Sequence, residues 1–319
     1  MNFHRLNNTK DTTQKDSHIG LSLQKILTAG IFHLLLFLPF WSISQNTDQL
    51  IGDLKTLSSD EMQGRKPGTI GHQLAMQYIV DRFESLELIT DEDSYIQLFE
   101  ISNNRTQLTG KNVIGKIAGK SDKIIVISAH YDHLGVRSGK VYSGADDNAS
   151  GVAALLYLAE YFVQNTPNHT LVFAAFDIEE SGLQGSKYFA ETMKKGKVVL
   201  NVNMDMISRS DKKEIYACGT RHSPNLRPLL ETVNIKHPMV NLKLGHDDSR
   251  SKHDDWTYLS DQAWFHKNNI PFIYFGVEDH SDYHKHTDTF DKIDTAFYTQ
   301  VVELIQDFTI EFDTQTEKK

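Results

Sequence analysis

The sequence predicts an α/β fold, with one domain built on a mixed, mostly parallel central sheet that carries helices on both faces. Short runs rich in β-branched residues, such as "KIIVISAH" (123–130) and "HTLVFAAFD" (169–177), are typical of strands buried on both sides. Segments with apolar residues at helical spacing alternate with these runs, as in α/β proteins. No internal repeat, low-complexity tract or Pro/Gly-rich linker divides the chain.

The predicted elements follow one another along the chain. In "TIGHQLAMQYIVDRFESLEL", the apolar residues Leu74, Ile79, Phe83 and Leu86 recur near the helical period. Further helices are predicted at 148–164, 183–195, 224–234, 256–268 and 293–312, and strands at 112–117, 123–130, 169–177, 197–204, 213–218 and 270–276. In a sheet of this kind, ligands collect at the carboxyl ends of the strands, so functional side chains are expected there.

Composition excludes several classes of protein and site. The formal net charge of −9 over 319 residues argues against a nucleic-acid partner, which would need a basic face. Cys218 is the only cysteine, so an intrachain disulfide and a cysteine-based zinc site are excluded. Its context, "EIYACGT", predicts a buried strand end.

The N-terminus predicts export. The apolar run 26–43 follows Lys25 and is succeeded by the small residue Ser44, the pattern of a secretory signal. We expect a signal peptide over 1–44 and one mature domain over 45–319, in the periplasm or outside the cell. The leader ahead of the run is long, so an uncleaved membrane anchor is the alternative. No cysteine follows the run, which excludes a lipoprotein anchor.

A histidine and an aspartate stand at the end of the first buried strand. His130 is its last residue, and Asp132 follows two residues later. Side chains at i and i+2 of an extended chain point the same way, so Asp132 could accept a hydrogen bond from the His130 ring and orient it for metal binding. Taken alone, His-x-Asp is a weak signal, and a surface pair is its favoured explanation.

Acidic residues follow the later strands. Asp146 and Asp147 in "SGADDNASG" precede a helix, where they could face a cation or cap the helix. In "FDIEESG", Glu179 and Glu180 can diverge, so that one ligates a metal and the other activates water. Asp205 lies among apolar residues in "NVNMDMIS" and needs a strong partner.

Three histidines near the C-terminus, His280, His284 and His286, compete for one further ligand position, and composition does not select among them. Together, one edge of the predicted sheet gathers imidazole and carboxylate groups. That mixture suits zinc, with cobalt or manganese as substitutes.

In this order, the motifs resemble the secreted two-zinc aminopeptidase family, which also contains glutamate carboxypeptidases, transferrin receptors and glutaminyl cyclases. The resemblance runs from "EMQGRKPGTIGHQLAMQYIVDRF" (61–83) to "YHKHTDTFDKI" (283–293), through "AHYDHLG", "GADDNASG", "EESG" and "NMDMIS". It implies a single zinc-exopeptidase domain with two Zn²⁺ per chain, which removes N-terminal residues from peptides with a free N-terminus.

The resemblance also implies a role for each motif residue. The metal ligands that it implies are His130, Asp147, Glu180, Asp205 and His284. Asp147 would bridge the metals, with Glu180 and His284 completing the first site and the other two ligands the second. Glu179 would be the general base and Asp132 the residue that orients a ligand. Asp146 would be only a neighbour of the bridging ligand, and His286 falls where the family often has proline.

Two departures from the family pattern are visible. Gln262 in "LSDQAWF" stands where a histidine is common, and no second domain is inserted between the strands. The aromatic residues Trp256, Tyr258, Trp264 and Phe265 could line a specificity pocket, but core packing is the favoured explanation. The alternatives to an aminopeptidase are a glutaminyl-cyclase-like aminoacyltransferase with one zinc and a non-catalytic ectodomain, which would lack ligands.

Overall fold

The protein is described from a computed structural model, which covers residues 38–90, 93–103, 106–193, 196–250 and 254–315. The chain divides into two units, Met1–Asn46 and the compact unit Thr47–Lys319. Most of the predicted signal segment lies outside the described residues, so export and the boundary at residue 44 stay predictions. Among the helices in the described ranges, none combines the length and apolar character needed to cross a membrane.

An eight-stranded sheet forms the centre of this unit, in the order β1-β2-β6-β3-β7-β10-β8-β9. Its strands are β1 (Ile96–Asn103), β2 (Thr106–Ile117), β3 (Ser121–His130), β6 (His169–Phe176), β7 (Val198–Met204), β8 (Glu214–Cys218), β9 (Asn241–Leu244) and β10 (Phe272–Gly276). The central strands β6, β3, β7 and β10 are parallel to one another, whereas β1, β2 and the β8–β10 pair add antiparallel contacts. A separate hairpin joins β4 (Gly135–Arg137) to β5 (Lys140–Tyr142). The mixed, mostly parallel sheet is therefore confirmed.

Seven α-helices accompany the sheet in the described ranges: α1 (Leu38–Leu57), α2 (Ile70–Ser85), α3 (Gly151–Gln164), α4 (Gln184–Thr192), α5 (Arg227–Lys236), α6 (Gln262–Lys267) and α7 (Thr295–Gln315). Short 3-10 turns lie at Asp60–Arg65, Pro224–Leu226, Trp256–Tyr258 and Phe290–Lys292, and a π-type turn at Ala145–Ser150. Ser260 and Asp261 separate the turn at Trp256–Tyr258 from α6, so the single helix predicted over 256–268 is wrong.

Both faces of the sheet are covered, which explains the unbroken apolar strands. On β3, Ile125 and Ile127 belong to the large core that includes α1, α2, α3, α5 and α7, whereas Val126 belongs to a smaller core with Phe189 of α4 and Phe265 of α6. Alternate side chains of one strand thus enter two different apolar layers. Cys218 ends β8 and is buried, as predicted.

Candidate metal centre

The candidate ligands lie at the carboxyl ends of the four parallel strands. His130 is the last residue of β3, while Glu179 and Glu180 follow β6. Asp205 comes directly after β7, and His284 lies in the loop after β10. These strands are neighbours in the sheet, so residues far apart in sequence meet at one edge.

His130, Glu179 and Asp205 form one compact group, called here the second group. The Nε2 atom of His130 lies 3.3 Å from Asp205 Oδ1 and 4.0 Å from Glu179 Oε2. His130 is 1% exposed, so these carboxylates lie beside a buried ring nitrogen.

Another cluster, called here the first group, consists of His133, Asp147 and Glu180, with His284 beside it. His133 Nδ1 lies 2.6 Å from Glu180 Oε1 and 3.6 Å from Asp147 Oδ2. The Nε2 atom of His284 lies 3.2 Å from Asp147 Oδ2 and 3.2 Å from Glu180 Oε2. Two imidazoles and two carboxylates therefore converge on one point.

Asp147 connects the two groups. Its Oδ1 atom lies 3.4 Å from His130 Nε2 in the second group, while its Oδ2 atom faces His284 in the first. Asp147 Oδ2 is buried and, within the described part of the chain, has no well-formed hydrogen bond despite this proximity. A carboxylate with one oxygen toward each group is the geometry that a shared ligand needs.

The spacing and chemistry of these atoms fit zinc. Two ligand atoms at about 2.0–2.1 Å from one zinc ion, at the tetrahedral angle, are about 3.3–3.4 Å apart. The His130 and His284 nitrogens lie 3.2–3.4 Å from the oxygens of Asp147, Glu180 and Asp205, which is the same range. One ring nitrogen that faces several oxygens can donate to only one of them, whereas a shared cation satisfies them all.

The carboxyl groups of the site differ in acidity. Burial raises the pKa of Glu179 well above its ordinary value, and the charge of Asp205 adds to this. Burial acts the same way on Asp147, but His133, His130 and His284 outweigh it and hold the pKa of Asp147 well below the ordinary value. In Glu180, hydrogen bonds with His133 and His284 overcome burial and lower the pKa to about 2.

Asp132 acts on the site differently from the sequence-based expectation. The nearest Asp132 acceptor to His130 Nδ1 is its backbone carbonyl, at 3.1 Å, while the carboxylate Oδ1 lies 3.7 Å away. The Asp132 carboxylate instead accepts the backbone N–H of Glu179 at 2.9 Å and of Glu180 at 3.4 Å. It therefore holds the loop that carries both glutamates, because a buried carboxylate takes the available backbone donors.

Asp146 is more than a neighbour of Asp147. Its buried carboxylate accepts hydrogen bonds from the Ser208 backbone at 2.7 Å and hydroxyl at 2.6 Å, and lies 3.1 Å from His280 Nε2. Asp288 accepts the backbone N–H groups of both Asp146 and Asp147 at 3.1 Å. These bonds join the turn that holds Asp147 to the loop that holds His284, so the two ligands are kept in register.

Arg65 supports the same turn from below. This guanidinium is 1% exposed and donates to the backbone carbonyls of Leu57, Tyr131, Ser143 and Gly144 at 2.6–2.9 Å. Gly144, at φ +55°, lies so close to the His133 ring that an added Cβ would stand 2.6 Å from it. The turn therefore packs against both Arg65 and His133.

Sequence reasoning missed His133 as a member of the site, although the residue stands within "AHYDHLG". The late histidines separate clearly. His284 reaches Asp147 and Glu180, whereas His286 Nε2 lies 3.0 Å from Lys140 Nζ and its ring is near Tyr142.

A cavity of about 460 Å³, called here the aromatic cavity, is lined by side chains from both groups. Trp256, Tyr258 and Trp264 line it, which corrects the expectation of core packing for Tyr258 and Trp264, whereas Trp256 also packs against buried Cys218, Phe272 and Tyr274. Phe265 is fully buried in the smaller core, as expected. Gln262 is buried and accepts a hydrogen bond from Asn203, so it is a structural residue here.

Comparison with known proteins agrees with this geometry. The sequence model of the family described as "Peptidase family M28" matches residues 112–309, more than half of the chain. The chain belongs to peptidase family M28. The aminopeptidase YwaD from Bacillus subtilis (strain 168) is 28% identical over 159 residues, which cover 47% of this chain and 33% of that protein. The chain spans less than half the length of the first curated relatives that it matches and of YwaD.

Solved structures show the same fold. A zinc aminopeptidase from Bacillus subtilis, BSAP, superposes with a TM-score of 0.70 at 16% identity, over 86% of this chain and 96% of that one. A glutaminyl cyclase from Porphyromonas gingivalis gives a TM-score of 0.69 at 19% identity, over 83% and 98%. Neighbours of both activities share the fold, so the fold alone does not choose between them.

Proposed function

We propose that this M28 protein is an exported zinc-dependent aminopeptidase that binds two Zn²⁺ ions and hydrolyses the peptide bond after a free N-terminal residue. The observation that carries the proposal is the position of Asp147, whose two carboxylate oxygens face two separate groups of imidazole and carboxylate ligands. The similarity to the aminopeptidase YwaD supports the reaction class.

In this proposal, His130, Asp147 and Asp205 hold one ion, and Asp147, Glu180 and His284 hold the other. Zinc, when bound, supplies Lewis acidity, which lowers the pKa of water and polarises a carbonyl. Asp147 keeps the two sites a fixed distance apart. Its own position is set by Asp288 and by the turn that Arg65 holds.

Glu179 is the general base. Its Oε2 atom lies 4.0 Å from His130 Nε2, farther than the 3.3–3.4 Å of Asp205 and Asp147, which leaves it the carboxylate that is freest to take a proton. Glu179 Oε2 would accept the proton of the attacking water and pass it to the leaving amine. The hydrogen bond from its backbone N–H to Asp132 fixes the loop on which it stands.

The aromatic cavity would receive the N-terminal residue of the substrate. Trp256, Tyr258 and Trp264 offer apolar surface for a side chain, while Glu179 and Asp205 offer negative charge to an α-ammonium group. Such a site favours exopeptidase action, because an internal peptide bond has no ammonium group to place there.

The alternative of a one-zinc cyclase rests on the shared fold. Against it, His130 Nε2 lies within 3.4 Å of both Asp147 and Asp205, so the residues of a second metal site are present. A non-catalytic ectodomain would be expected to lack part of the ligand set, whereas all five implied ligands are present.

A panel of aminoacyl and peptidyl fluorogenic substrates, assayed with and without a chelator, tests the proposal. We expect turnover of substrates with a free α-amino group, no turnover when that group is acetylated, and loss of turnover on metal removal. Cyclisation of N-terminal glutamine without hydrolysis of any aminoacyl substrate would contradict it.

A further inference from the structure

A cavity of about 510 Å³ opens beside the first group and differs from the aromatic cavity. We call it the basic cavity; its lining includes Lys66, Leu108, His133, Leu134, Arg137 and Glu180. The two cavities share Glu180 and no other lining residue. Glu180 therefore lies where the two cavities adjoin. The volume of the basic cavity is in the range of ligand pockets.

The basic cavity carries two cations that no acid neutralises. Among the described residues, neither Lys66 nor Arg137 forms an ion pair with a carboxylate. The Arg137 side chain is held in place, because its Nε donates to the Leu134 carbonyl at 3.3 Å and its guanidinium lies 5.3 Å from the centre of the Tyr142 ring.

The remaining charged or polar groups of the basic cavity do not offset these cations. Among the described residues, Glu180 is the only acidic side chain that lines it, and His133 and His284 already contact it. The Nε2 atom of His133 is buried and has no hydrogen-bond partner in the described part of the chain. The basic cavity thus carries a net positive charge from Lys66 and Arg137.

The aromatic cavity has the opposite charge. Among the described residues that line it, Glu179 and Asp279 hold no metal in the proposed site, and Lys267 is the only lysine. A peptide carries an ammonium group at one end and a carboxylate at the other, so the charges of the two cavities select one direction of binding. The ammonium end suits the aromatic cavity and a carboxylate suits the basic cavity.

We propose that the basic cavity binds a carboxylate on the leaving part of the substrate through Lys66 and Arg137. That carboxylate is the C-terminus of a short peptide or the acidic side chain of the residue after the scissile bond. The inference rests on the proposed aminopeptidase function and names its preferred substrates as short or acidic peptides. Lys66 and Arg137 recognise the substrate and take no part in bond cleavage.

Matched substrates test this recognition. The comparisons are Leu-Gly against Leu-Gly-amide for the C-terminal carboxylate and Leu-Glu-amide against Leu-Gln-amide for the side chain. Leucine 4-nitroanilide, which has no carboxylate, gives the basal activity. Because both cations are exposed to solvent, we expect about three- to tenfold higher kcat/KM with a carboxylate, mainly through KM, and a smaller preference at high salt.

The double variant Lys66→Gln/Arg137→Gln should remove the preference and leave turnover of leucine 4-nitroanilide unchanged. Lys123→Gln is the matched control, since Lys123 lies toward the other end of β3, where its Nζ is 3.3 Å from the Gly196 carbonyl. If only one substrate pair shows the preference, that pair identifies the carboxylate that the basic cavity binds, either the C-terminus or the side chain. Equal kcat/KM in both pairs, or a preference that survives the double variant, would overturn the inference.

A binding measurement separates this inference from the proposed catalysis. Calorimetry on zinc-loaded Glu179→Gln protein compares the Kd of Leu-Gly and Leu-Gly-amide without turnover. Absence of hydrolysis by the wild-type protein, together with tighter binding of Leu-Gly to Glu179→Gln that is lost in the Lys66→Gln/Arg137→Gln background, would refute the aminopeptidase and keep the basic cavity. If no peptide binds, both proposals fail.

Discussion

Substitution of His133 by phenylalanine removes a buried hydrogen bond to Glu180 and keeps the size of the ring. His133 Nδ1 lies 2.6 Å from Glu180 Oε1, and His133 is 1% exposed. A hydrogen bond to a charged group contributes about 1.5–3 kcal/mol. Since every 1.4 kcal/mol is a tenfold change in an equilibrium constant, we expect the first group to bind zinc about 10–100-fold more weakly.

Zinc retention measured against a series of chelators provides the assay. His133→Phe should release one ion per chain at a lower chelator strength than the wild type, while the other ion is retained. His133→Asn, whose amide nitrogen can replace Nδ1, should recover part of the affinity. His286→Phe is the matched control, because His286 contacts Lys140 and no candidate ligand. Unchanged zinc affinity in His133→Phe would refute the reasoning, since it would show that His133 does not support Glu180.

Three further predictions follow from the site. Glu179→Gln should keep both metal ions and lose about 10²–10⁴-fold in kcat, whereas Glu180→Gln should bind one of the two ions more weakly. Metal content and activity are measured side by side, and the opposite pattern would show that Glu179 is the ligand and Glu180 the base. Arg65→Met should leave several buried carbonyls unpaired and lower the free energy of unfolding by about 3 kcal/mol or more. The exposed control Arg227→Met should lower it by less than about 1 kcal/mol. Chemical unfolding measures both, and equal losses would contradict the role given to Arg65. In the metal-free protein, the adjacent carboxylates of Asp147 and Glu180 raise the pKa of His284 from 6.5 to about 10, so the stabilisation by this ion pair is fully present below pH 6.5 and is lost as the pH rises through 10. The Tm of metal-free protein should accordingly fall more between pH 6 and 10 than that of metal-free His284→Gln, and equal falls would speak against the ion pair.

The central strands could be predicted from sequence because their burial on two faces leaves continuous apolar runs. β1 could not, since its side chains are only partly buried and Leu98, in the middle of the strand, is 57% exposed. β9, four residues long and largely half-buried, gave no signal for the same reason. An edge strand depends on pairing with its neighbour, which a local pattern does not contain.

In the candidate site, the neighbourhood of His130, Glu180 and Asp205 could be predicted because each stands at or just after a recognisable strand, whereas the choice of Asp147 and His284 rested on the resemblance to the family. His133 could not be assigned, since it lies three residues after His130, where β3 has ended. Beyond the strand, alternation of side chains no longer applies, and the loop conformation decides which ring turns toward Glu180. The role of Asp146 was hidden similarly, because its partners Ser208 and His280 are distant in sequence.

The number of zinc ions bound per chain tests the central claim most directly. The purified protein would be loaded with zinc, dialysed against metal-free buffer and analysed for metal and protein in the same sample. We expect two ions per chain, falling to one in Asp205→Asn, which removes a ligand of the second group only. One ion in the wild type, unaffected by Asp205→Asn, would contradict the two-zinc centre and favour the cyclase-like alternative.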